Sequence, residues 1–89
     1  MCQQSPFWRY VMEYTERDLP LSLNEAEVVV LSDGTQVRFE ESGGARDVFI
    51  NDEWSARAQL FPGAEYLLET PSGNYLLTAG ESTLEVKRA

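Results

Sequence analysis

The sequence contains no histidine, one lysine (Lys87) and one cysteine (Cys2) in its 89 residues. Each shortage removes a class of chemistry. Without histidine there is no Ser–His or Cys–His nucleophile and no imidazole metal ligand. Cys2 has no second thiol to pair with, so no internal disulfide framework is available, and a reducing compartment is the expectation. Lys87 is the third residue from the end. No glycine-rich loop is followed by a lysine, which excludes a phosphate-cradling P-loop. Gly43-Gly44 reads as a hairpin turn rather than as an anion cradle.

Long apolar runs are also missing. Residues 1–20 contain Gln3, Gln4, Arg9, Glu13, Glu16 and Asp18, so no signal peptide is visible and no apolar stretch precedes Cys2 for lipoprotein processing. No segment reaches the length of a transmembrane helix. The expected location is cytoplasmic.

What is abundant is negative charge. Fifteen acids face seven bases, a net charge of −8. Residues 21–86 hold twelve acids and only Arg38, Arg46 and Arg57, and Lys87 and Arg88 follow. Such a body repels phosphate backbones and anionic headgroups, which disfavours direct nucleic-acid or membrane binding. A protein partner with a basic surface fits the charge, as does acidity serving solubility alone. Hydrophobic residues make up 43% of the chain, enough for a folded core. The length suits one domain, residues 1–89.

The local patterns are mixed. Ser5-Pro6 opens like a helix, and Phe7, Tyr10, Val11 and Tyr14 follow at helical spacing, so a helix is expected over residues 7–17, ended by Pro20. Trp8, Tyr10, Met12 and Tyr14 also alternate as in a strand. Residues 21–27 read as a connector anchored by Leu21 and Leu23. The run Val28-Val29-Val30-Leu31 reads as a buried strand, turned by Asp33-Gly34 into Gln36-Val37-Arg38-Phe39-Glu40. A turn at Ser42-Gly43-Gly44 leads to a strand over residues 47–51. Asn51 or Asp52 can cap a short helix over residues 53–60, with Trp54, Ala58 and Phe61 on one face. Two more hairpins follow, the first with matched Tyr-Leu-Leu arms at residues 66–68 and 75–77, the second bringing Leu84 and Val86 inward. The expected fold is α+β: an antiparallel meander of five or six strands with one or two short helices. A small SH3-like or OB-like barrel is the alternative. An unpaired edge strand would offer a route to a homodimer.

No catalytic residue, cofactor or metal site is assigned. Fifteen acids make chance carboxylate pairs certain, and 89 residues leave little material for the walls of a cleft. Asp47, Asn51, Asp52 and Glu53 offer oxygen ligands but lack the order of a calcium loop. The constellation that carries a function is the acidic face. Alternate strand residues stand about 6.8 Å apart, near two phosphate steps of about 3.4 Å each, so carboxylates can imitate a nucleic-acid backbone. Glu25 and Glu27 have this spacing, while the neighbours Glu40 and Glu41 point to opposite faces. Glu40, Glu41, Asp52, Glu53 and Trp54 are the expected partner-binding residues, with Trp54 as an aromatic anchor rimmed by charge. The functional expectation is a small regulator or inhibitor, not an enzyme, of the kind phages carry against CRISPR or restriction systems. It would dock on the basic, nucleic-acid-binding groove of a partner protein. A structural or accessory subunit is the second reading, and a small-ligand binder or minor enzyme the third.

Overall fold

In the structure, a computed structural model, residues 12–89 are described, apart from the side chains of Ser55 and Ala56. Nine strands run in chain order: β1 Met12–Thr15, β2 Leu21–Leu23, β3 Glu27–Val30, β4 Gln36–Ser42, β5 Ala45–Ile50, β6 Glu53–Leu60, β7 Glu65–Thr70, β8 Gly73–Ala79 and β9 Leu84–Arg88. They form two sheets, β1-β3-β4-β5-β6 and β2-β9-β8-β7. All neighbours are antiparallel except β1 and β3, which run parallel with Met12 opposite Glu27 and Thr15 opposite Val30. The architecture is therefore two-sheeted and nearly all β. It corrects both expectations, since neither an α+β fold nor a closed barrel is present among the described residues.

The expected helices fail for identifiable reasons. Of the first, residues 7–11, including Trp8, lie outside the described residues. Met12–Thr15 is strand β1, held by parallel pairing to β3, and only Glu16–Asp18 turns, as a single 3-10 turn. The Asp18 carboxylate accepts from the Thr15 N–H at 2.9 Å. The second, over residues 53–60, is strand β6. Asn51 and Asp52 both adopt positive φ, 53° and 65°, the geometry of a two-residue hairpin turn rather than of a helix cap. Asn51 reinforces the turn: its side-chain oxygen accepts from Gln36 N–H, and its own N–H donates to the Gln36 carbonyl, both at 2.9 Å. The connector at residues 21–27 is likewise corrected in part, because Leu21–Leu23 forms β2 and pairs with β9.

The hairpins follow their turn chemistry. Leu31 and Thr35 close the β3–β4 loop, with Gly34 at φ 91° donating to the Leu31 carbonyl at 2.8 Å. The β4–β5 hairpin turns at Gly43-Gly44, and β7–β8 turns at Pro71-Ser72 with Leu68 opposite Tyr75. Alternation then directs one set of side chains between the sheets. Val29, Val37, Phe39, Val48, Ala58 and Leu60 from the first sheet meet Leu23, Leu68, Tyr75, Leu77, Leu84 and Val86 from the second. Complete burial of each large aliphatic or aromatic side chain contributes about 1.5–3 kcal/mol.

The β5–β6 pairing contains a slip that matters for the surface. Phe49 faces Trp54, whereas Asp47 faces Gln59. Five positions of β6 thus span two of β5. Trp54 shares the outer face with Phe49, while Ala58 and Leu60 turn into the core. Bulges of this kind re-aim side chains.

Candidate binding surface

Arg38 sits at the centre of the outer face of the first sheet. Outward alternation on β4 places Arg38 beside Glu40, and the hairpin register sets Arg38 opposite Phe49. The guanidinium lies 4.2 Å from the centre of the Phe49 ring, a cation–π contact. Its Nη1 donates to Glu40 Oε2 at 2.9 Å and its Nε to Asp52 Oδ1 at 3.2 Å. Arg38 is only 13% exposed, whereas its two carboxylate partners are 54% and 55% exposed. Water therefore meets the acids far more than the base that fixes them. Beside them, across Phe49, stands Trp54, 47% exposed.

Of the five residues expected at the site, three gather here: Glu40, Asp52 and Trp54. Glu53 lies opposite Ile50, on the core-facing side of β6. Glu41 does not join them. It lies opposite Arg46 near the far end of the hairpin, with its carboxylate 4.0 Å from Nη1 of the buried Arg46. Arg46 Nη1 also donates to the Gly44 carbonyl at 3.3 Å, while its Nε lacks a hydrogen-bond partner among the described residues. Sequence reasoning missed Arg38 as the organiser. The signal was there: Arg38 and Glu40 are two apart on one strand, and the hairpin brings the Asn51-Asp52 turn back alongside.

The nucleic-acid-like spacing of Glu25 and Glu27 is used differently. Glu25 Oε2 accepts from the Glu41 N–H at 3.1 Å, and Glu27 Oε1 accepts from the Asn24 N–H at 2.7 Å. Both carboxylates bind backbone N–H groups, Glu27 locally and Glu25 across to β4.

Next to Trp54 the two sheets part. A cavity of about 330 Å³ opens between β5, β6 and β7. Ile50 and Leu68 form part of its floor, and Asn51, Glu53, Trp54 and Tyr66 also line it. Its volume is at the low end of small-ligand sites, about 300–1,000 Å³.

A second polar cluster, unforeseen from sequence, lies on Glu16. Its carboxylate accepts the Ser32 N–H at 2.6 Å, the Ser32 hydroxyl, and the Tyr75 hydroxyl at 2.9 Å to each oxygen, and it pairs with Arg88. The hydrogen bond from the Ser32 hydroxyl is the largest influence and holds the Glu16 carboxyl below its ordinary range; desolvation comes next and opposes it, and the Ser32 N–H, the Tyr75 hydroxyl and the charge of Arg88 add to the lowering. Ser72 continues the network, its Oγ 3.1 Å from the Tyr75 hydroxyl and its N–H donating to Asp33 at 3.3 Å. Asp33 also accepts from the Thr35 N–H at 2.9 Å, and hydrogen bonds from Thr35 are the main cause that lowers its pKa from 3.8 to about 2. This cluster joins the 3-10 turn, the β3–β4 loop, the β7–β8 hairpin and β9. Its groups satisfy one another, which suits a structural clasp.

Among the described residues, no group of three or more Cys, Asp or Glu side chains could hold a metal ion. No helix there is long and apolar enough to cross a membrane. Searches of protein-family models, curated proteins and solved structures return no match for this chain.

Proposed function

We propose that this chain is a small binding protein, a regulator or inhibitor rather than an enzyme, which docks its Trp54 end on a basic surface of a partner protein. The observation that carries this reading is the Arg38 arrangement. A largely shielded guanidinium holds Glu40 and Asp52 in place with their carboxylates exposed, beside a half-exposed tryptophan. Carboxylates ordered before binding lose less conformational freedom on docking. Tryptophan is a frequent hot-spot residue because it buries a large area with few rotatable bonds. The net charge of −8 favours encounter with cationic surfaces. The site thus deepens the expectation from sequence while narrowing it. Glu41 belongs to another part of the hairpin, and the contacts of Glu25 and Glu27 do not support an even ladder of phosphate-like charges.

The test is affinity capture from lysate of the source cells, with wild type and Trp54→Ala compared at low salt. The reading predicts a partner retained by wild type and lost from Trp54→Ala. Equal retention by the two proteins would place the interface elsewhere.

A further inference from the structure

We infer that the cavity beside Trp54 receives a primary alkylammonium group, presented as a lysine side chain of the partner. The inference rests on the docking reading above and names the group that enters. Three observations converge on it. The first is composition: Tyr66 and Glu53, both on core-facing rows, line the same opening, which Trp54 borders from the outer face. Aromatic faces attract ammonium ions, and a carboxylate at the same opening supplies the counter-charge. The second is that Glu53 is uncommitted. Asp52 and Glu40 are taken by Arg38, Glu41 is near Arg46, and Glu16 is paired with Arg88, but no ion pair of Glu53 occurs among the described residues. The third is the floor. Ile50 and Leu68 offer apolar surface below this polar rim, which suits a methylene stem carrying a charged head.

The register explains how the lining assembles. Glu53 lies opposite Ile50, on the side of the sheet that faces the core. Tyr66 is opposite Leu77 and packs against the core from the second sheet. The cavity is therefore a place where two core-facing rows diverge at the end of the sandwich. A neutral apolar ligand would use the floor and leave Glu53 idle. Arginine is a less suitable guest, because its planar fork seeks bidentate carboxylate pairing, and the cavity offers the single carboxylate of Glu53.

The probe is a blocked tripeptide, acetyl-Gly-Lys-Gly-amide, titrated into the full chain. The readout is the NMR shift of the Tyr66 ring and of the Leu68 methyl groups, both of which line the cavity. A saturating shift of both, with a dissociation constant of about a millimolar, is the expected result for one small side chain. The norleucine counterpart, which keeps the stem and removes the charge, should bind about ten-fold more weakly, and so should the lysine peptide to Glu53→Gln. Equal binding of the lysine and norleucine peptides would overturn the inference, as would an unchanged titration of Glu53→Gln. Binding of butylammonium without binding of the blocked peptide would reassign the cavity to free amines and overturn the lysine assignment. Because these titrations need no partner, they fail or succeed separately from the lysate capture. A cavity that binds lysine in a protein whose Trp54→Ala variant still captures its partner would retire the docking reading alone.

Discussion

Single residues show where the chain accepts strain and where it concentrates charge. Ala26 has φ 75° in the turn between β2 and β3, a left-handed conformation that costs a residue with a Cβ about 1–2 kcal/mol. Glycine removes that cost and adds some unfolded-state entropy. Ala26→Gly should therefore raise stability by about 0.5–1 kcal/mol, read as a higher midpoint in urea. A lower midpoint would mean that the turn has another conformation. Glu16 gathers four partners on one carboxylate: the Ser32 amide and hydroxyl, Tyr75 and Arg88. Its pKa and that of Asp33 are both depressed in the fold, from ordinary values of 4.5 and 3.8. A depressed carboxylate contributes stability that is complete above its unfolded pKa and lost as pH falls through the folded one. Stability should thus decline from about pH 4.5 toward pH 2. Glu16→Gln should lower stability at neutral pH by about 2 kcal/mol, since charge-assisted bonds are replaced by weaker neutral ones, and should flatten the acid limb. An acid limb that is identical in wild type and Glu16→Gln would contradict this account of the clasp.

At the scale of elements, the sequence was most readable where turn chemistry is specific. Asp33-Gly34 and Gly43-Gly44 each mark the hairpin they suggest, because positive φ is inexpensive at glycine. The strand β6 was misread for a physical reason. Asn51-Asp52 is compatible with a helix cap and with a two-residue hairpin turn, and Trp54, Ala58 and Phe61 happen to fall at helical spacing. The register slip hides the alternation, because it breaks the two-residue period between Trp54 and Ala58. Strand β1 was obscured differently. Its partner β3 lies beyond another strand in sequence and runs parallel to it, so no local turn signal announces the pairing. The site was legible as a neighbourhood, Trp54 beside Asp52-Glu53, and not as a mechanism, since Arg38 acquires its role only through the hairpin. One comparison separates strand from helix. Leu60 is 4% exposed and Phe61 57% exposed. Leu60→Ala should cost about 2–4 kcal/mol and Phe61→Ala under about 1 kcal/mol in denaturant unfolding. The reverse order would restore the helical face that includes Phe61.

At the scale of the whole molecule, the surplus of acid is partly spent inside the fold. Glu16, Glu25 and Glu27 bind backbone or hydroxyl groups, and Glu41 lies beside Arg46. What remains on display at the Trp54 end is a small group with a fixed geometry: Glu40 and Asp52 on Arg38, with Glu53 at the cavity. Here the charge acts through its placement more than through its total. The same reasoning separates this surface from an acidic coat that serves solubility, because diffuse charge is screened alike wherever it is removed.

The most direct measurement is the dependence of partner affinity on ionic strength, for wild type and for the triple variant Glu40→Gln, Asp52→Asn, Glu53→Gln. The account predicts that wild-type affinity falls steeply as salt rises, and that the triple variant binds weakly with a much shallower dependence. Equal slopes and equal affinities for the two proteins would contradict it.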